Sequence, residues 1–354
     1  MAAATELTRQ GDLTAAMQTI QKALALDAID KPGTHDAPID TTGDTEPPYT
    51  IDQKLHEKPG QDAESYITAK DTESAIIRKT FGTGVQERPY RLFIPARPEA
   101  EPIPLIVMLH GCTQSTDDFA NGTMMDEIAQ KHGLAVLYPG QSRRTSSNLC
   151  WNWFKHNHQG RGHGEPALLA KLTSDICLQH GFDESRVFVA GLSAGGAMAA
   201  ILGKAYPDIF SGVAIHSGLA SGVAHDLPSA LQAMNNGAPS VSTRSSDPMP
   251  RTIVFHGDSD RIVNPVNGDQ IARQCTDAMR SMPIRETESG QTNGRQWTVT
   301  RARNSMREIA MEHWVITGLG HAWSGGNSAG SYSDEKGPCA SELIVKFFLE
   351  GCAK

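Results

Sequence analysis

Three short stretches of the 354-residue chain hold residue types that together do nucleophilic chemistry. The first is Val187–Ala199, VFVAGLSAGGAMA, with Ser193 inside Gly191-Leu192-Ser193-Ala194-Gly195. β-favouring residues lead in and an Ala-rich stretch leads out, which predicts a strand, a turn too tight for side chains at its flanking positions, and a helix. A serine there is lifted off the end of the sheet, its hydroxyl exposed over a helix N-terminus. The same five-residue pattern recurs at Gly326-Asn327-Ser328-Ala329-Gly330, but it follows a Gly-rich segment and precedes SYSDEKGP. With no strand entering and no helix leaving, that copy is set aside in favour of Ser193.

A serine hydroxyl is a weak nucleophile at neutral pH and needs a positioned base with an acid behind it, which in this kind of turn follow in the order acid, then histidine. The acid falls in Thr252–Val263, TIVFHGDSDRIV, where a strand ends at His256-Gly257 and the loop carries Asp258 and Asp260. Asp260, three residues before Val263, is the better placed, leaving Asp258 to cap or brace the loop. The base is His321 in GLGHAW, on a Gly-flexible loop after a strand. Of the 13 histidines, His216, His225, His256 and His313 compete, but three of these lie in or beside strands, where structural roles suit them. An oxyanion hole needs two N–H donors, worth roughly 2.7–4 kcal/mol each. Ala194 supplies one, and the loop His110-Gly111-Cys112-Thr113 after an earlier apolar run supplies the other through the Cys112 amide. Trp151, Trp153 and Trp323 flank this constellation. Substrate contact is expected of Trp323, Trp151 and His110, and loop packing of Trp153.

The elements that must position these groups are legible downstream of Glu73. SAIIRKTF, a GTG turn and RPYRLFIP read as an antiparallel hairpin. Strands are expected at Leu105–Leu109, Leu134–Tyr138, Val187–Ala190, Val213–Ile215, Thr252–Phe255, Gln296–Arg301 and Glu312–Thr317. Helices are expected at Met124–His132, Pro166–His180, after Ser193, at Gly268–Met279 and at Ser341–Leu349. An antiparallel start followed by alternating strands and helices implies a mostly parallel sheet covered on both faces, which fits an α/β-hydrolase. Residues 1–28 read as one helical segment with Leu13, Met17, Ile20 and Leu24 on a face. The segment resembles part of a tetratricopeptide repeat, but no second copy follows for it to stack on. Residues 29–71, rich in Asp, Thr, Pro and Gly, read as a linker or loosely held segment, and 72–354 as the catalytic domain.

Composition narrows the partners. A formal charge of −8, with no basic block, argues against nucleic acid or an anionic membrane surface. No run approaches the roughly 18–20 apolar residues that span a bilayer. The N-terminus lacks the basic start and apolar core of a secretory signal, so the chain as given is expected to be cytoplasmic, or secreted if a leader was removed. None of the six cysteines has CxxC spacing, so no zinc site, and no cofactor, is expected.

Taken together, PLIVMLHGCTQ, CWNWF, GLSAGGAMAA, HGDSDRIV and GLGHAWSGG resemble the polyhydroxybutyrate depolymerase family of esterases, with feruloyl and acetylxylan esterases as relatives. AIHSGLASGVAHDLPSALQAMNNG resembles members of the same family, and the likeness runs from about Glu73 to Leu349. It implies an α/β-hydrolase esterase with nucleophile Ser193, acid Asp260, base His321 and an oxyanion hole at Cys112 and Ala194, acting on a polyester, an oligomer or a plant polysaccharide ester. It also implies a disulfide from Cys112 to Cys150, joining the HGC loop to the CWNW loop. Two readings of other classes compete. His156, His158, His163 and Glu165 in KHNHQGRGHGE suggest a metal-dependent hydrolase, and the repeat-like N-terminus with its long linker suggests a non-catalytic interaction protein.

Overall fold

The computed structural model describes residues 73–96, 101–238, 249–279 and 281–350. The expected N-terminal helix at 1–28 and the linker at 29–71 lie outside the described residues. Four short runs, β3 (Leu105–Leu109), β4 (Ala135–Pro139), β5 (Val187–Leu192) and β6 (Gly212–His216), are buried at every position. Continuous burial is what parallel strands covered on both faces require, and it explains why these segments are apolar without alternation. With β1 (Ala75–Phe81), β2 (Arg88–Ile94), β7 (Arg251–Gly257), β8 (Ile284–Thr292), β9 (Arg295–Arg303) and β10 (Ile309–Ile316) they form a sheet ordered β1-β2-β4-β3-β5-β6-β7-β10-β9-β8.

The six strands from β4 to β10 in that order run parallel, while β1 and β2 at one end and β9 and β8 at the other run antiparallel. The N-terminal hairpin was expected. At the far end the strand expected at Gln296–Arg301 is β9, but its partner β8 was not expected, because β8 is exposed along nearly its whole length and shows no apolar alternation.

Helices cover both faces. On one, α3 (Gly164–His180), α4 (Ala194–Ala205), α5 (Leu227–Asn236) and α6 (Val266–Asp277) pack on Leu105, Val107, Leu109, Val189 and Val213. On the other, α1 (Thr116–Thr123), α2 (Met125–His132) and α7 (Ala340–Glu350) pack on Ile106, Met108, Val136 and Phe188. The single helix expected at Met124–His132 is the second of two. The chain breaks at Met124, whose φ of 52° is left-handed, and α1 precedes it with Ser115 accepting a bond from the Asp118 amide as N-cap. Among the described residues, no helix is long and apolar enough to cross a membrane.

The strand order positions the site. From β3 the chain crosses to β4 on one side, and from β5 to β6 on the other. The gap between β3 and β5 is therefore the point where connections diverge and a crevice opens beyond the strand ends. Leu109 pairs with Gly191 there, so the loops that leave β3 and β5 begin side by side.

Candidate active site

Ser193 stands between the end of β5 and the start of α4, with φ 57° and ψ −119°. A non-glycine residue held there is strained, typically by about 1–3 kcal/mol, and persists only where its surroundings over-determine it. Here the Ser193 amide donates to the His216 carbonyl at 2.9 Å. The flanking glycines are steric necessities: a Cβ on Gly195 would lie 2.0 Å from the Leu109 carbonyl oxygen, and one on Gly191 would lie 2.3 Å from the Gly195 backbone. Ala194, the first residue of α4, has an amide with no intrahelical acceptor. The second copy of the five-residue pattern does something else. Gly330 lies against the Gly122 backbone so closely that a Cβ would come within 2.4 Å, and the Ser328 hydroxyl donates to Glu335 at 2.5 Å.

Asp260 lies in the turn after β7. Its Oδ1 accepts from the amides of Ile262 and Val263, each at 2.9 Å, and its Oδ2 lies 2.8 Å from His321 Nδ1. Burial alone would push the carboxyl up, but the His321 charge and hydrogen bonds from His256 and His321 hold it far below the usual carboxylate range. Ionised Asp260 thus fixes the His321 proton on Nδ1 and leaves Nε2 free to act as a base. His256 Nε2 donates to the Val263 carbonyl at 2.9 Å and sits 3.5 Å from Asp260 Oδ2, a second brace on the same carboxylate. Asp258 bridges the two loops, its Oδ1 accepting from the Gly318 amide at 2.7 Å.

Beyond β3, the Gly111 amide donates to Gln114 Oε1 at 2.9 Å and the Thr113 amide to the Asn148 carbonyl at 2.7 Å. The Cys112 amide between them has no acceptor among the described residues, and Cys112 lines the cleft beside Ala194. Cys112 and Cys150 form a disulfide, the pairing that the resemblance implied. Gln114 also donates to the Ser331 carbonyl at 2.8 Å, tying this loop to the segment after His321. Sequence reasoning missed Gln114.

Ser193, His321, Cys112 and Ala194 share a solvent-open cleft of about 620 Å³. Its other walls are mostly apolar: Trp153 and Phe154 from one loop, Leu227, Leu231 and Met234 from α5, and Ile262 and Val263 beside Asp260. Residues 227, 231 and 234 follow helical spacing behind a capping box at Asp226 and Ser229, a signal present in the sequence but unused.

Three expected substrate contacts require correction. Trp323 is buried in the core, stacked on His216 at 5.0 Å and donating to Ser341 Oγ at 3.1 Å. Trp151 is buried and donates to the His110 carbonyl at 3.0 Å. His110 has both ring nitrogens engaged: Nδ1 donates to the Gly111 carbonyl at 2.7 Å and Nε2 accepts from the Gln141 amide at 3.1 Å. Trp153 packs into the core as expected and also lines the cleft. His216, a rejected competitor for the base, accepts from the Ser324 amide through Nε2 at 3.1 Å, and burial pushes it down to about 3.

The histidine-rich loop does not converge. His156 and His163 are exposed, while buried His158 places Nδ1 3.6 Å from Glu165. Glu165 accepts from the Asn152 amide at 2.7 Å and from Gln141, with Arg88 at 3.5 Å. Burial opposes its ionisation, but His158, Arg88 and Gln141 hold it at about 2. Among the described residues no three His, Cys, Asp or Glu side chains are grouped to hold a metal ion.

Comparison with known proteins places this geometry. Residues 88–283, more than half of the chain, match the family model described as esterase PHB depolymerase. Poly(3-hydroxyalkanoate) depolymerase C of Paucimonas lemoignei is 31% identical over 265 residues, covering 69% of this chain and 63% of that protein. The probable acetylxylan esterase A of Neosartorya fischeri is 23% identical over 237 residues, covering 61% of each. The chain thus spans less than two thirds of either relative's length. An acetyl xylan esterase structure from Aspergillus awamori superposes with a TM-score of 0.58 at 21% identity, over 70% of this chain and 94% of that one. The sheet, its helical layers and its antiparallel start are those of the α/β-hydrolase fold.

Proposed function

The chain belongs to the PHB depolymerase family of esterases, and from that premise we propose that it is a serine esterase that hydrolyses carboxylic esters through an acyl-enzyme on Ser193. The observation that carries this is the buried Asp260–His321 pair, 2.8 Å apart, with His321 lining the same cleft as a strained serine. His321 Nε2 takes the Ser193 proton as Oγ bonds to the ester carbonyl carbon. The carbonyl oxygen gains the negative charge and is met by the Cys112 and Ala194 amides. The intermediate collapses, the C–O bond to the alcohol breaks, and the alcohol leaves with the proton from His321. Water then repeats the sequence: His321 takes its proton, the hydroxyl attacks the acyl carbon, and Ser193 Oγ departs reprotonated. Asp260 orients the imidazole and stabilises its charged form throughout.

The substrate class we infer is a 3-hydroxyalkanoate polyester or its oligomers. The mostly apolar cleft suits an aliphatic acyl chain, and the Paucimonas lemoignei relative bears that activity in its name. Acetylated or feruloylated polysaccharide is the second reading, favoured by the Neosartorya fischeri relative. Ser193→Ala is expected to lower turnover of p-nitrophenyl butyrate by at least ~10³-fold with an unchanged circular dichroism spectrum. Activity near wild type moves the nucleophile elsewhere. A hydrolysis panel of 3-hydroxybutyrate oligomers, methyl ferulate and acetylated xylan decides between the two substrate classes.

A further inference from the structure

Cys112 enters the proposed chemistry through its backbone amide, so what matters about it is where that amide points. The Cys112 N–H shares a planar trans peptide with the Gly111 carbonyl, and turning one turns the other. That carbonyl accepts from His110 Nδ1 at 2.7 Å. His110 donates there only with its proton on Nδ1, and the Gln141 amide, donating to Nε2 at 3.1 Å, keeps the proton on that side. A bond received at the carbonyl end also polarises the peptide and strengthens its N–H as a donor.

Gln141 is held in turn by Glu165. The Glu165 carboxylate, in the first turn of α3, is 4% exposed and accepts from Gln141 Nε2. It also accepts from the Asn152 amide at 2.7 Å and from Asn152 Nδ2 at 2.9 Å. Gln141 Nε2 donates as well to the Cys150 carbonyl at 3.0 Å, and Cys150 carries the disulfide to Cys112. Two routes therefore run from Glu165 to Cys112. One passes through Gln141 and His110 to its peptide, the other through Gln141, Asn152 and Cys150 to its side chain. A buried carboxylate is expensive, yet this one is bonded on both oxygens, with Arg88 at 3.5 Å and His158 at 3.6 Å beside it. Neither Glu165 nor any of these bonded partners lines the cleft.

We propose that Glu165 is a positioning residue of the esterase site, fixing the direction of the Cys112 amide from outside the cleft through Gln141, His110 and Cys150. This rests on the serine-esterase reading, in which the Cys112 amide meets the carbonyl oxygen. A mispointed amide costs most once negative charge has formed on that oxygen, and little while the ester is merely bound. The effect therefore belongs to kcat.

The test replaces Glu165 by Gln, which keeps the shape but sets an amide donor against the donors of Gln141 and Asn152. With p-nitrophenyl butyrate, kcat is expected to fall about 30-fold, less than the roughly 10²–10³ of losing a donor outright, with KM within about threefold. A trifluoromethyl ketone, whose adduct with Ser193 carries the oxyanion, should lose affinity by the same factor as kcat/KM. An unchanged kcat overturns the assignment. So does a rise in KM that accounts for the whole loss, the mark of a cleft that has merely loosened, and so does a ketone bound as tightly as by wild type. If Glu165→Gln does not fold, Gln141→Leu is read by the same criteria, since it removes the side chain on which both routes draw. Ser193→Ala assayed alongside separates the two levels. If it cleaves the ester like wild type, the esterase reading fails and takes this one with it. If it is inactive and Glu165→Gln turns over like wild type, the Glu165 assignment alone falls.

Discussion

Ser193 is useful because it is held where few residues rest, and the glycines around it have no latitude. Gly195 lets α4 approach the end of β3 so closely that any Cβ would overlap the Leu109 carbonyl. Gly195→Ala is therefore expected to destabilise the protein by about 3 kcal/mol, because backbone on both sides must shift, and to abolish ester hydrolysis with it. Chemical denaturation checks the first effect, and a wild-type midpoint would mean that the elbow packs differently. The tryptophans teach the opposite lesson. A residue beside a candidate histidine in sequence need not face the substrate. Trp323 turns inward to stack on His216, while Trp153, from a loop 170 positions before it, lines the cleft.

Among the elements, α5 decides what the cleft admits. Leu227, Leu231 and Met234 line it together with Trp153 and Phe154, whose loop Cys150 anchors through its disulfide. Replacing Leu231 by Trp narrows that cleft without touching the candidate nucleophile, acid or base. The expected result is a fall in kcat/KM at least tenfold larger for a p-nitrophenyl octanoate than for the acetate, since overpacking an apolar pocket excludes the longer chain. Equal effects on both esters would move the acyl chain to another wall. The hairpin β8–β9 shows how an element escapes sequence reading. Its strand is polar and exposed, yet the turn is Asn293-Gly294 with φ of 43° and 78°, the dipeptide that a two-residue hairpin loop demands. The turn announced the strand when the strand itself did not.

At the scale of the whole molecule, buried groups with depressed pKa link folding to pH, His216 and Glu165 among them. His216 is pushed from the ordinary 6.5 down to about 3, and Glu165 from 4.5 down to about 2. Both are depressed, so an unfolded chain binds protons that the folded one refuses, and stability rises with pH across those windows. His216 contributes in full above about pH 6.5 and its contribution is lost as pH falls toward 3. Glu165 contributes above about 4.5 and is lost toward 2. Melting temperature is expected to fall from pH 7 to pH 3, beginning near 6.5, where acidic side chains have barely begun to protonate. His216→Gln should flatten the upper part of that decline. A melting temperature constant from pH 7 to 4 would contradict the placement of His216.

The sequence by itself determined the local grammar of this protein. Apolar runs without alternation specified central parallel strands, because both their faces are covered. Glycines around Ser193 specified a tight turn, because no side chain fits there. The chain order of serine, acid and histidine followed from where the strands end. What only the tertiary structure decided was convergence: which face of α5 meets the cleft, which tryptophan turns inward, and that Glu165 comes to rest against both Gln141 and Asn152. Those outcomes depend on contacts between segments far apart in the chain. Spacing along one segment carries information about its own periodicity and caps, and none about which distant surface will be packed against it.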